Sequence, residues 1–331
     1  MKILLTVPKG DIFDRHFPPE LLERLGRLGE LTINPHKRQY TRAELSGLLS
    51  DTDIVLTHWG STQYDGELLD RAPGLKLLAH CAGTVAHIAS EEFYRRGIPV
   101  LSANTIMARY VAEGVLGYIL AGLRSLPQYD RDMRIGQWRG QGNPVRSLMD
   151  IEVGMIGLGT VGRFLLDLLS PFGCRVRVYD PYIPADALDG WKFARRADFD
   201  EAMRCPLVTI HASQTPETYH MIGSDALRLI PDGGLLVNSS RGSLVDTDAL
   251  ISELESGRIG AVLDVYEHEG CAQDPRLLAC GDNTILQPHL AAYAAGSRMT
   301  SAIIDDIERF LRGEPMRLTV SREQYLHMTQ E

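Results

Sequence analysis

The sequence predicts an α/β protein built around two parallel β-sheets. Short apolar segments of strand length alternate with amphipathic segments of helix length in the first part of the chain. A second, denser alternation begins at Ile151, and a glycine-rich turn joins its first strand to its first helix. The 331 residues suit two domains, because a domain takes about 100–200 residues.

The first alternation predicts a sheet whose strands are joined by helices. The predicted strands are Ile3–Val7, Asp53–Thr57, Leu75–His80 and Pro99–Leu101, and the predicted helices are Pro19–Leu28, Arg42–Leu49 and Gly66–Arg71. Strands and helices in turn are typical of parallel sheets. A long apolar helix, Arg109–Leu126, follows, and Gly140–Pro144 predicts a loop before the second series.

The second alternation consists of nearly continuous apolar runs, as expected of parallel strands that are buried on both faces. Its strands are predicted at Ile151–Ile156, Val176–Val178, Leu207–His211, Leu235–Ser239, Ile259–Val265 and Thr284–Gln287. The later strands end in polar residues, and ligands of doubly wound sheets bind at the carboxyl ends of the strands. We therefore expect these residues to surround one crevice. A last helix is predicted at Ser297–Leu311.

The glycine-rich turn, Gly157-Leu-Gly159-Thr-Val-Gly162, predicts a dinucleotide site. A strand precedes it, a helix follows, and Asp180 ends the next strand, which is the context that this fingerprint requires. The first glycine allows the turn, the second lets the backbone approach a pyrophosphate, and the third lets helix and strand pack closely. The alternative is a structural glycine turn without a ligand.

Composition excludes several classes of protein. The net charge of -9 argues against nucleic acid as a partner, because phosphate binding needs a basic face. Five cysteines without a C-x-x-C pair predict neither zinc nor disulfides, and reduced thiols predict a cytoplasmic protein. No apolar run reaches the length of about 18–20 residues that spans a bilayer, so no membrane partner is expected. The apolar N-terminal run is interpreted as a strand rather than a signal peptide.

Three ionisable residues near strand ends predict an active site: Arg241, Glu269 and His289. Hydride exchange between a ketone and an alcohol needs a proton donor or acceptor, and histidine suits that role near neutral pH. A carboxylate such as Glu269 on the other ring nitrogen would favour the imidazolium. The planar fork of Arg241 suits a substrate carboxylate. Taken singly, each of the three could also be a solvated or structural residue.

Several sequence blocks resemble those of the D-isomer-specific 2-hydroxyacid dehydrogenases. They are Tyr110-Val-Ala-Glu113, Gly136-Gln-Trp138, His211-Ala-Ser-Gln-Thr-Pro-Glu-Thr218, Asn238-Ser-Ser-Arg241-Gly-Ser-Leu-Val-Asp246, Leu263-Asp-Val-Tyr-Glu-His-Glu269 and Gln287-Pro-His289. The blocks occur in the family's order and spacing, over about residues 50 to 310.

The resemblance implies a nucleotide-binding Rossmann domain inserted in a split flavodoxin-like substrate domain, both doubly wound around parallel sheets. The expected parts are 1–102 and 291–331 for the substrate domain and 103–290 for the nucleotide domain. Arg241, Glu269 and His289 would be the catalytic residues. The cofactor-binding residues would be Gly157, Gly159, Thr160, Val161, Gly162, Asp180, Ala212, Ser213, Thr218, Ser239, Ser240 and Asp264, with Asp264 at the nicotinamide. Asp180 would bind the ribose hydroxyls and repel a 2′-phosphate, which favours NAD over NADP.

The sequence departs from the family where substrate is expected to bind. The family's Gly-x-Gly turn, whose N–H groups hold the substrate carboxylate, is replaced by Ala82-Gly83-Thr84. Trp59-Gly60 stands where the family often has Arg-Ser, so Trp59 is either a lid over an apolar substrate group or a packed aromatic. We interpret His80 and His87 as satisfied or solvated residues. Ser213 and Gly270 each stand where the family commonly has proline. These changes leave the substrate unidentified.

The function expected from the resemblance is NAD-dependent interconversion of a small 2-oxo acid and a D-2-hydroxy acid, with closure of the two domains excluding water. An alternative is a corepressor-like protein of the same fold that senses NAD(H). Formate oxidation is disfavoured by Glu269, because formate enzymes are expected to carry glutamine there. A phosphoglycerate dehydrogenase would be expected to add a regulatory domain. The resemblance also implies a homodimer, formed through the helix Arg109–Leu126.

Overall fold

The chain divides into two compact units in the computed structural model, which describes residues 1–138, 145–271, 273–326 and 328. The first unit contains Met1–Met107 and Ala295–Glu331, and the second contains Ala108–Ala294. The breaks lie a few residues beyond the boundaries expected at 102/103 and 290/291. The predicted loop Gly140–Pro144 lies outside the described residues.

The first unit is built on a sheet of five parallel strands in the order β2-β1-β3-β4-β5. This is the strand order of flavodoxin-like folds. The elements are β1 (Lys2–Leu5), α1 (Asp11–His16), α2 (Pro19–Leu28), β2 (Glu30–Ile33), α3 (Arg42–Leu49), β3 (Ile54–Thr57), α4 (Gly66–Asp70), β4 (Leu77–His80), α5 (Glu91–Arg95) and β5 (Val100–Ser102). The strands β3, β4 and β5 are buried along their whole length, which explains their apolar runs.

Strand β2 was missed by sequence reasoning because it is an edge strand. Its residues alternate between exposed and half-buried, so Glu30–Ile33 lacks the apolar run of the central strands. The register pairs Lys2 with Glu30 and Leu5 with Ile33. An edge strand pairs with one neighbouring strand, and its second face need not be buried. Its sequence therefore shows a weaker apolar pattern than that of a central strand.

The C-terminal segment packs into the first unit. A helix spans Ser297–Leu311 as predicted and buries an apolar face on that unit. The Arg24 guanidinium pairs with Asp305 at 2.6 Å and with Glu308 at 2.7 Å, which ties this helix to α2. Farther on, the Ser102 amide donates to the Leu318 carbonyl at 3.0 Å. The first unit is therefore assembled from both ends of the chain.

The second unit is built on seven parallel strands in the order β12-β11-β10-β9-β6-β7-β8. The order reverses between β6 and β9, as in dinucleotide-binding sheets. Its elements begin with α6 (Asn104–Leu123), α7 (Leu126–Arg134), β6 (Glu152–Ile156), α8 (Thr160–Leu169), β7 (Arg175–Tyr179), β8 (Ala194–Arg196) and α9 (Phe199–Met203). They continue with β9 (Leu207–Ile210), α10 (Ser224–Leu229), β10 (Leu235–Asn238), α11 (Thr247–Glu255), β11 (Gly260–Leu263), α12 (Pro275–Ala279) and β12 (Thr284–Leu286). After them come α13, the helix Ser297–Leu311, and α14 (Arg322–Leu326), both in the first unit.

The long apolar helix begins earlier and ends earlier than its predicted bounds, Arg109–Leu126. Helix α6 ends at Leu123, and the chain turns at Ser125, whose φ is 49°. A separate helix, α7, then starts with Pro127 in its first turn. Proline has no N–H and its ring excludes a helical turn before it, so it favours a new helix start over a continuous helix.

Helix α6 is long and apolar enough to cross a membrane, judged by length and composition alone. By that measure, the prediction that no apolar run is long enough to span a bilayer is wrong. The core helix of a soluble protein passes the same test. Within its own unit, Tyr118 of this helix donates from its hydroxyl to the Asp264 carboxylate at 2.9 Å. Val115 and Ile119 are fully buried. We therefore interpret α6 as a packing element of the second unit.

Candidate active site

The glycine-rich turn links β6 to α8 at the point where the strand order reverses. Gly157 has a φ of +91°, a conformation that L side chains rarely adopt. A Cβ at this position would lie 2.6 Å from the Ala212 amide nitrogen, so the turn packs directly on the chain that follows β9. At Gly162, a Cβ would lie 3.1 Å from the Gly157 carbonyl oxygen, because α8 starts close against the turn. Gly157 is therefore required by its backbone conformation and packing, whereas a side chain at Gly162 would require its neighbours to shift by a few tenths of an ångström.

Gly159 differs because, apart from its two chain neighbours, no atom of the described residues lies within 4 Å of the position that a Cβ would take. It is the N-cap residue of α8, and no side chain caps this helix end. The first N–H groups of a helix attract anions, since they lack partners inside the helix and carry the positive end of its dipole. Thr160 and Val161 form the half-buried first turn of α8. Open space beside uncapped N–H groups fits a pyrophosphate.

Asp180 follows β7 and supports the same turn. Its carboxylate accepts from the Leu158 amide at 2.8 Å and from the Tyr182 amide at 2.9 Å. Each oxygen accepts one of these hydrogen bonds, and a carboxylate oxygen has two lone pairs. The side chain is half-buried. Asp180 is therefore placed beside the turn, with acceptor capacity for ribose hydroxyls.

The chain segments after β9 and β10 lie side by side, because the two strands are neighbours in the parallel sheet. The Ser240 hydroxyl donates to the Ala212 carbonyl at 2.6 Å, and the Thr218 hydroxyl donates to the Ser213 carbonyl at 2.8 Å. Ser239 precedes Ser240 and is half-buried. The structure thus brings these predicted cofactor residues together at one edge of the sheet.

Arg241 is held in the turn that follows β10. The Asn238 side-chain amide donates to the Arg241 carbonyl at 2.9 Å, and the Arg241 guanidinium donates to the Ser240 carbonyl at 2.8 Å. The next residue, Gly242, is in contact with a second loop, since a Cβ there would lie 1.9 Å from the carbonyl carbon of Tyr266. The Arg241 turn and the loop after β11 are therefore packed backbone against backbone.

His289 and Glu269 form a direct pair. The Nδ1 atom of His289 lies 2.7 Å from Oε2 of Glu269, and the two side chains are 47% and 40% exposed. Because Nδ1 faces the carboxylate, Nε2 is the nitrogen that faces away from it and can meet a substrate oxygen. The sequence placed these residues on two loops, and the structure brings their side chains within hydrogen-bonding distance.

Asp264 holds the backbone that follows His289. Its carboxylate is fully buried and accepts from the Leu290 amide at 2.8 Å, the Ala291 amide at 3.0 Å and the Tyr118 hydroxyl at 2.9 Å. His289 itself has a φ of 55°, which is unfavourable for a residue with a Cβ. The bonds to the next two amides hold this conformation. Sequence reasoning assigned Asp264 to the nicotinamide and gave Tyr118 no polar role, because a tyrosine in an apolar helix carries no signal of its partner.

His211 directly follows β9. Its Nε2 atom lies 3.0 Å from the Thr209 hydroxyl, and its amide donates to the Ile156 carbonyl at 2.7 Å. Burial lowers the pKa of His211 to about 4. The ring is therefore neutral near pH 7, and we interpret it as a structural residue.

In the first unit, the predicted turn Ala82-Gly83-Thr84 follows β4. Ala82 and Gly83 are buried, and both carbonyls accept from the Ser102 hydroxyl, at 3.2 and 2.5 Å. A Cβ at Gly83 would lie 2.5 Å from the Met107 methyl carbon. A Cβ at this position would therefore require the flexible end of the Met107 side chain to shift, and Gly83 stands between the two positions where the family pattern has glycine.

The Trp59 side chain is partly packed and partly exposed. It is 37% exposed, and its ring packs edge-on against the rings of His58 and His16, with centroids 4.5 and 5.6 Å apart. His58 is fully buried, and burial lowers its pKa to about 2. His80 is also fully buried, with Nδ1 2.9 Å from the Thr57 hydroxyl, and burial lowers its pKa to about 3. Sequence reasoning missed His58, whose neighbours in the chain give no sign of its burial.

Comparison with known proteins places this geometry in a family. Residues 116–291 match the model of the D-isomer specific 2-hydroxyacid dehydrogenase, NAD binding domain. A glyoxylate reductase from Thermococcus gammatolerans is 31% identical over 320 residues, which cover 93% of this chain and 95% of that protein. A D-3-phosphoglycerate dehydrogenase from Methanocaldococcus jannaschii is 30% identical over 318 residues, or 95% of this chain, but the chain spans 58% of that protein's length.

The fold agrees with solved structures over both units. The D-lactate dehydrogenase from Aquifex aeolicus, complexed with NAD and lactic acid, matches with a TM-score of 0.72 and 25% identity, covering 95% of this chain and 96% of that one. The predicted two-sheet α/β fold and the predicted NAD-binding domain are confirmed. The sequence match, the strand orders and the glycine turn agree: this chain belongs to the D-isomer specific 2-hydroxyacid dehydrogenase family.

Proposed function

We propose that the protein is an NAD-dependent oxidoreductase that interconverts a small 2-oxo acid and the corresponding D-2-hydroxy acid. The observation that carries the proposal is the pair formed by His289 and Glu269, with Nδ1 2.7 Å from Oε2. An imidazole whose other nitrogen faces a carboxylate is suited to exchange a proton with a substrate oxygen. Family membership supports the same chemistry.

The residues around the glycine turn fit the cofactor. Gly159 leaves open space beside an uncapped helix end, where the pyrophosphate would lie, and Asp180 would accept from the ribose hydroxyls. Ala212, Ser213, Thr218, Ser239 and Ser240 would line the cofactor at the ends of β9 and β10. When bound, NAD supplies the hydride acceptor for oxidation, and NADH supplies the donor for reduction.

In reduction, we assign the substrate carboxylate and the neighbouring carbonyl to Arg241, whose guanidinium can form two parallel hydrogen bonds. His289 would donate a proton from Nε2 to the carbonyl oxygen. Glu269 would keep the imidazole oriented and stabilise its positive charge before that transfer. In oxidation, the neutral His289 would take the proton back. Asp264 would position His289 through the Leu290 and Ala291 amides, in addition to any contact with the nicotinamide.

We further propose that Trp59 and the Ala82-Gly83-Thr84 turn contact the substrate. The 37% exposure of Trp59 leaves part of its ring available to an apolar substituent. The turn differs from the family's Gly-x-Gly pattern, whose N–H groups hold the substrate carboxylate, so we expect this protein to bind the carboxylate end of its substrate differently from its relatives. The homodimer stays a prediction from the family resemblance, and size-exclusion chromatography tests it. The cytoplasmic location stays a prediction from the cysteine content.

The experiment that tests the function is a panel of 2-oxo acids, from glyoxylate to acids with larger apolar or acidic side chains, each with NADH and with NADPH. Oxidation of the cofactor is read at the nicotinamide absorbance, and chiral chromatography assigns the product. We expect turnover with NADH and a D-2-hydroxy acid product. Tight NADH binding with no turnover across the panel would contradict the enzyme and favour the NAD(H)-sensing alternative.

A further inference from the structure

Glu267 lies two residues before Glu269 and is held at both carboxylate oxygens. Its Oε1 atom pairs with Nε2 of His220, and its Oε2 atom accepts from the Thr247 hydroxyl at 2.7 Å. The Glu267 and His220 side chains are only 24% and 30% exposed. We name His220, Thr247 and Glu267 the Glu267 clasp.

The clasp joins three separate segments of the second unit. His220 belongs to the chain between β9 and α10, Thr247 is the first residue of α11, and Glu267 lies in the loop after β11. The backbone at His220 has a φ of 49°, and its amide donates to the Ser243 carbonyl at 2.8 Å. A residue with a Cβ rarely adopts this conformation unless its surroundings impose it. The imidazole is thus aimed at Glu267 by a constrained backbone.

A cavity of about 410 Å³, partly open to solvent, lies beside the clasp. Its walls include His220, Thr247, Glu267 and Cys271. A loop beside a cavity has fewer packed side chains to fix its position than one that covers a filled core. The polar contacts of Glu267 therefore contribute more to fixing the position of the loop.

Two further contacts connect the same loop to the catalytic pair. Gly242, next to Arg241, is so close that a Cβ would lie 2.3 Å from the Glu267 amide nitrogen. The Tyr266 hydroxyl donates to the Gln287 carbonyl at 3.0 Å, two residues before His289. A displacement of Glu267 would therefore be transmitted along the loop to Glu269 and, through Tyr266, toward the strand end that carries His289.

We propose that His220 and Thr247 are positioning residues, which act through Glu267 to hold Glu269 against His289. The proposal rests on the proposed function, because it assigns the clasp to the acid–base pair of that reaction. A displacement of Glu269 by about 1 Å would open the 2.7 Å contact to His289. Partly exposed ion pairs contribute little to stability, so the effect is expected in turnover rather than in folding.

The first test replaces His220 with asparagine. Asparagine tolerates positive φ better than other residues with a Cβ, so His220→Asn removes the imidazole without a new backbone conflict. We expect kcat to fall about tenfold, because misplaced catalytic groups lose that much or more, while the NADH dissociation constant stays unchanged. The matched control is Glu253→Gln, which removes the ion pair with Arg258 in the same unit, away from the loop, and is expected to leave kcat unchanged.

The second test asks whether the clasp acts through Glu269. In a Glu269→Gln background, His220→Asn is expected to lower kcat by less than about twofold, because the group that it positions is already lost. A full tenfold loss in that background overturns the proposal. Thr247→Val, which removes only the hydroxyl bonded to Glu267, provides a second variant and is expected to give the same pattern with a smaller loss.

A readout without turnover separates this proposal from the proposed function. The imidazole C2–H signal of His289, identified by its absence from the spectrum of His289→Gln, is expected to shift in His220→Asn and not in Glu253→Gln. An unchanged signal in His220→Asn overturns the proposal even if the wild-type enzyme is active. A wild-type protein that reduces no 2-oxo acid contradicts the proposed function. In that case the shift of the His289 signal in His220→Asn still decides whether the clasp positions Glu269 against His289.

Discussion

The Nδ1 atom of His289 lies 2.7 Å from the Oε2 atom of Glu269, although the two residues are on different loops of the second unit. The contact fixes which ring nitrogen is directed to the carboxylate and leaves Nε2 directed away from it. The backbone of His289 has a positive φ, held by the bonds from Leu290 and Ala291 to Asp264. The His289 side chain is thus oriented from both its ring and its backbone.

Replacement of His289 by glutamine is expected to lower kcat by at least about 100-fold, because general acid–base catalysis contributes that much or more. The NADH dissociation constant should stay within about twofold of the wild-type value, since this side chain pairs with Glu269. Steady-state kinetics and a fluorescence titration with NADH measure the two effects. The control is His268→Ala, an exposed histidine on the Glu269 loop, which should keep full activity. Unchanged turnover in His289→Gln would rule out the acid–base assignment.

Arg241→Lys is expected to raise the KM for the 2-oxo acid by about tenfold or more, because lysine keeps the charge but loses the planar fork that binds a carboxylate at two points. The variant retains the Arg241 main-chain carbonyl that accepts from Asn238, so the turn should keep its structure. Initial rates over a range of substrate concentrations separate KM from kcat. Arg276→Lys serves as the control, since Arg276 pairs with Asp248 on the surface of the same unit. Equal KM values for Arg241→Lys and wild type would exclude a role in carboxylate binding.

Asp180→Asn is expected to raise the preference for NADPH, measured as kcat/KM relative to NADH, because a negative charge beside the ribose repels a 2′-phosphate. The Leu158 and Tyr182 amides both donate to this carboxylate, and an asparagine side chain has one acceptor oxygen rather than two. We therefore expect a weaker glycine turn and poorer use of both cofactors, with the larger loss for NADH. A loss of equal size for both cofactors would mean that Asp180 supports the turn without selecting the cofactor.

The sequence predicted the central strands, because strands buried on both faces leave long apolar runs such as Leu235–Asn238. It did not predict β2 or β8, since edge strands such as Ala194–Arg196 bury little and leave no such run. Arg241, Glu269 and His289 could be named as candidates from their positions at strand ends. Their mutual geometry could not be predicted, because the contact between Glu269 and His289 depends on how two loops pack. Nor could the partners of Asp264 be predicted, since Tyr118 reaches it from a helix 146 residues away in the chain.

The buried histidines of the first unit predict a loss of stability in acid. Burial lowers the pKa of His58 from 6.5 to about 2 and that of His80 to about 3. The unfolded chain therefore binds protons at a higher pH than the folded chain does. The stabilisation is complete above about pH 6.5 and is lost as the pH falls from there toward about 3, at up to about 1.4 kcal/mol per pH unit for each histidine.

Replacement of His58 by phenylalanine tests this pH dependence. The ring would remain among the aromatic rings of Phe17, His16 and Trp59 but could no longer bind a proton. Urea unfolding between pH 7.5 and 5, about one unit on either side of the unfolded pKa, should give a shallower decline for His58→Phe than for wild type. His36→Gln, at an exposed histidine of the same unit, should leave the slope unchanged. Identical slopes for wild type and His58→Phe would show that His58 is not kept neutral by burial.

Two alanine substitutions in the glycine-rich turn are expected to separate folding from cofactor binding. Gly157→Ala forces a Cβ onto a residue with a φ of +91° and within 2.6 Å of the Ala212 amide, so it should lower the free energy of unfolding by more than about 1 kcal/mol. Gly159→Ala meets no atom within 4 Å, and as an N-cap change it should alter stability by less than about 1 kcal/mol. Its methyl group would nevertheless occupy the space where the pyrophosphate approaches the backbone. Gly159→Ala should therefore unfold like wild type in a thermal scan while binding NADH at least about tenfold more weakly in a fluorescence titration. If Gly159→Ala binds NADH as wild type does, the pyrophosphate does not lie at the start of α8.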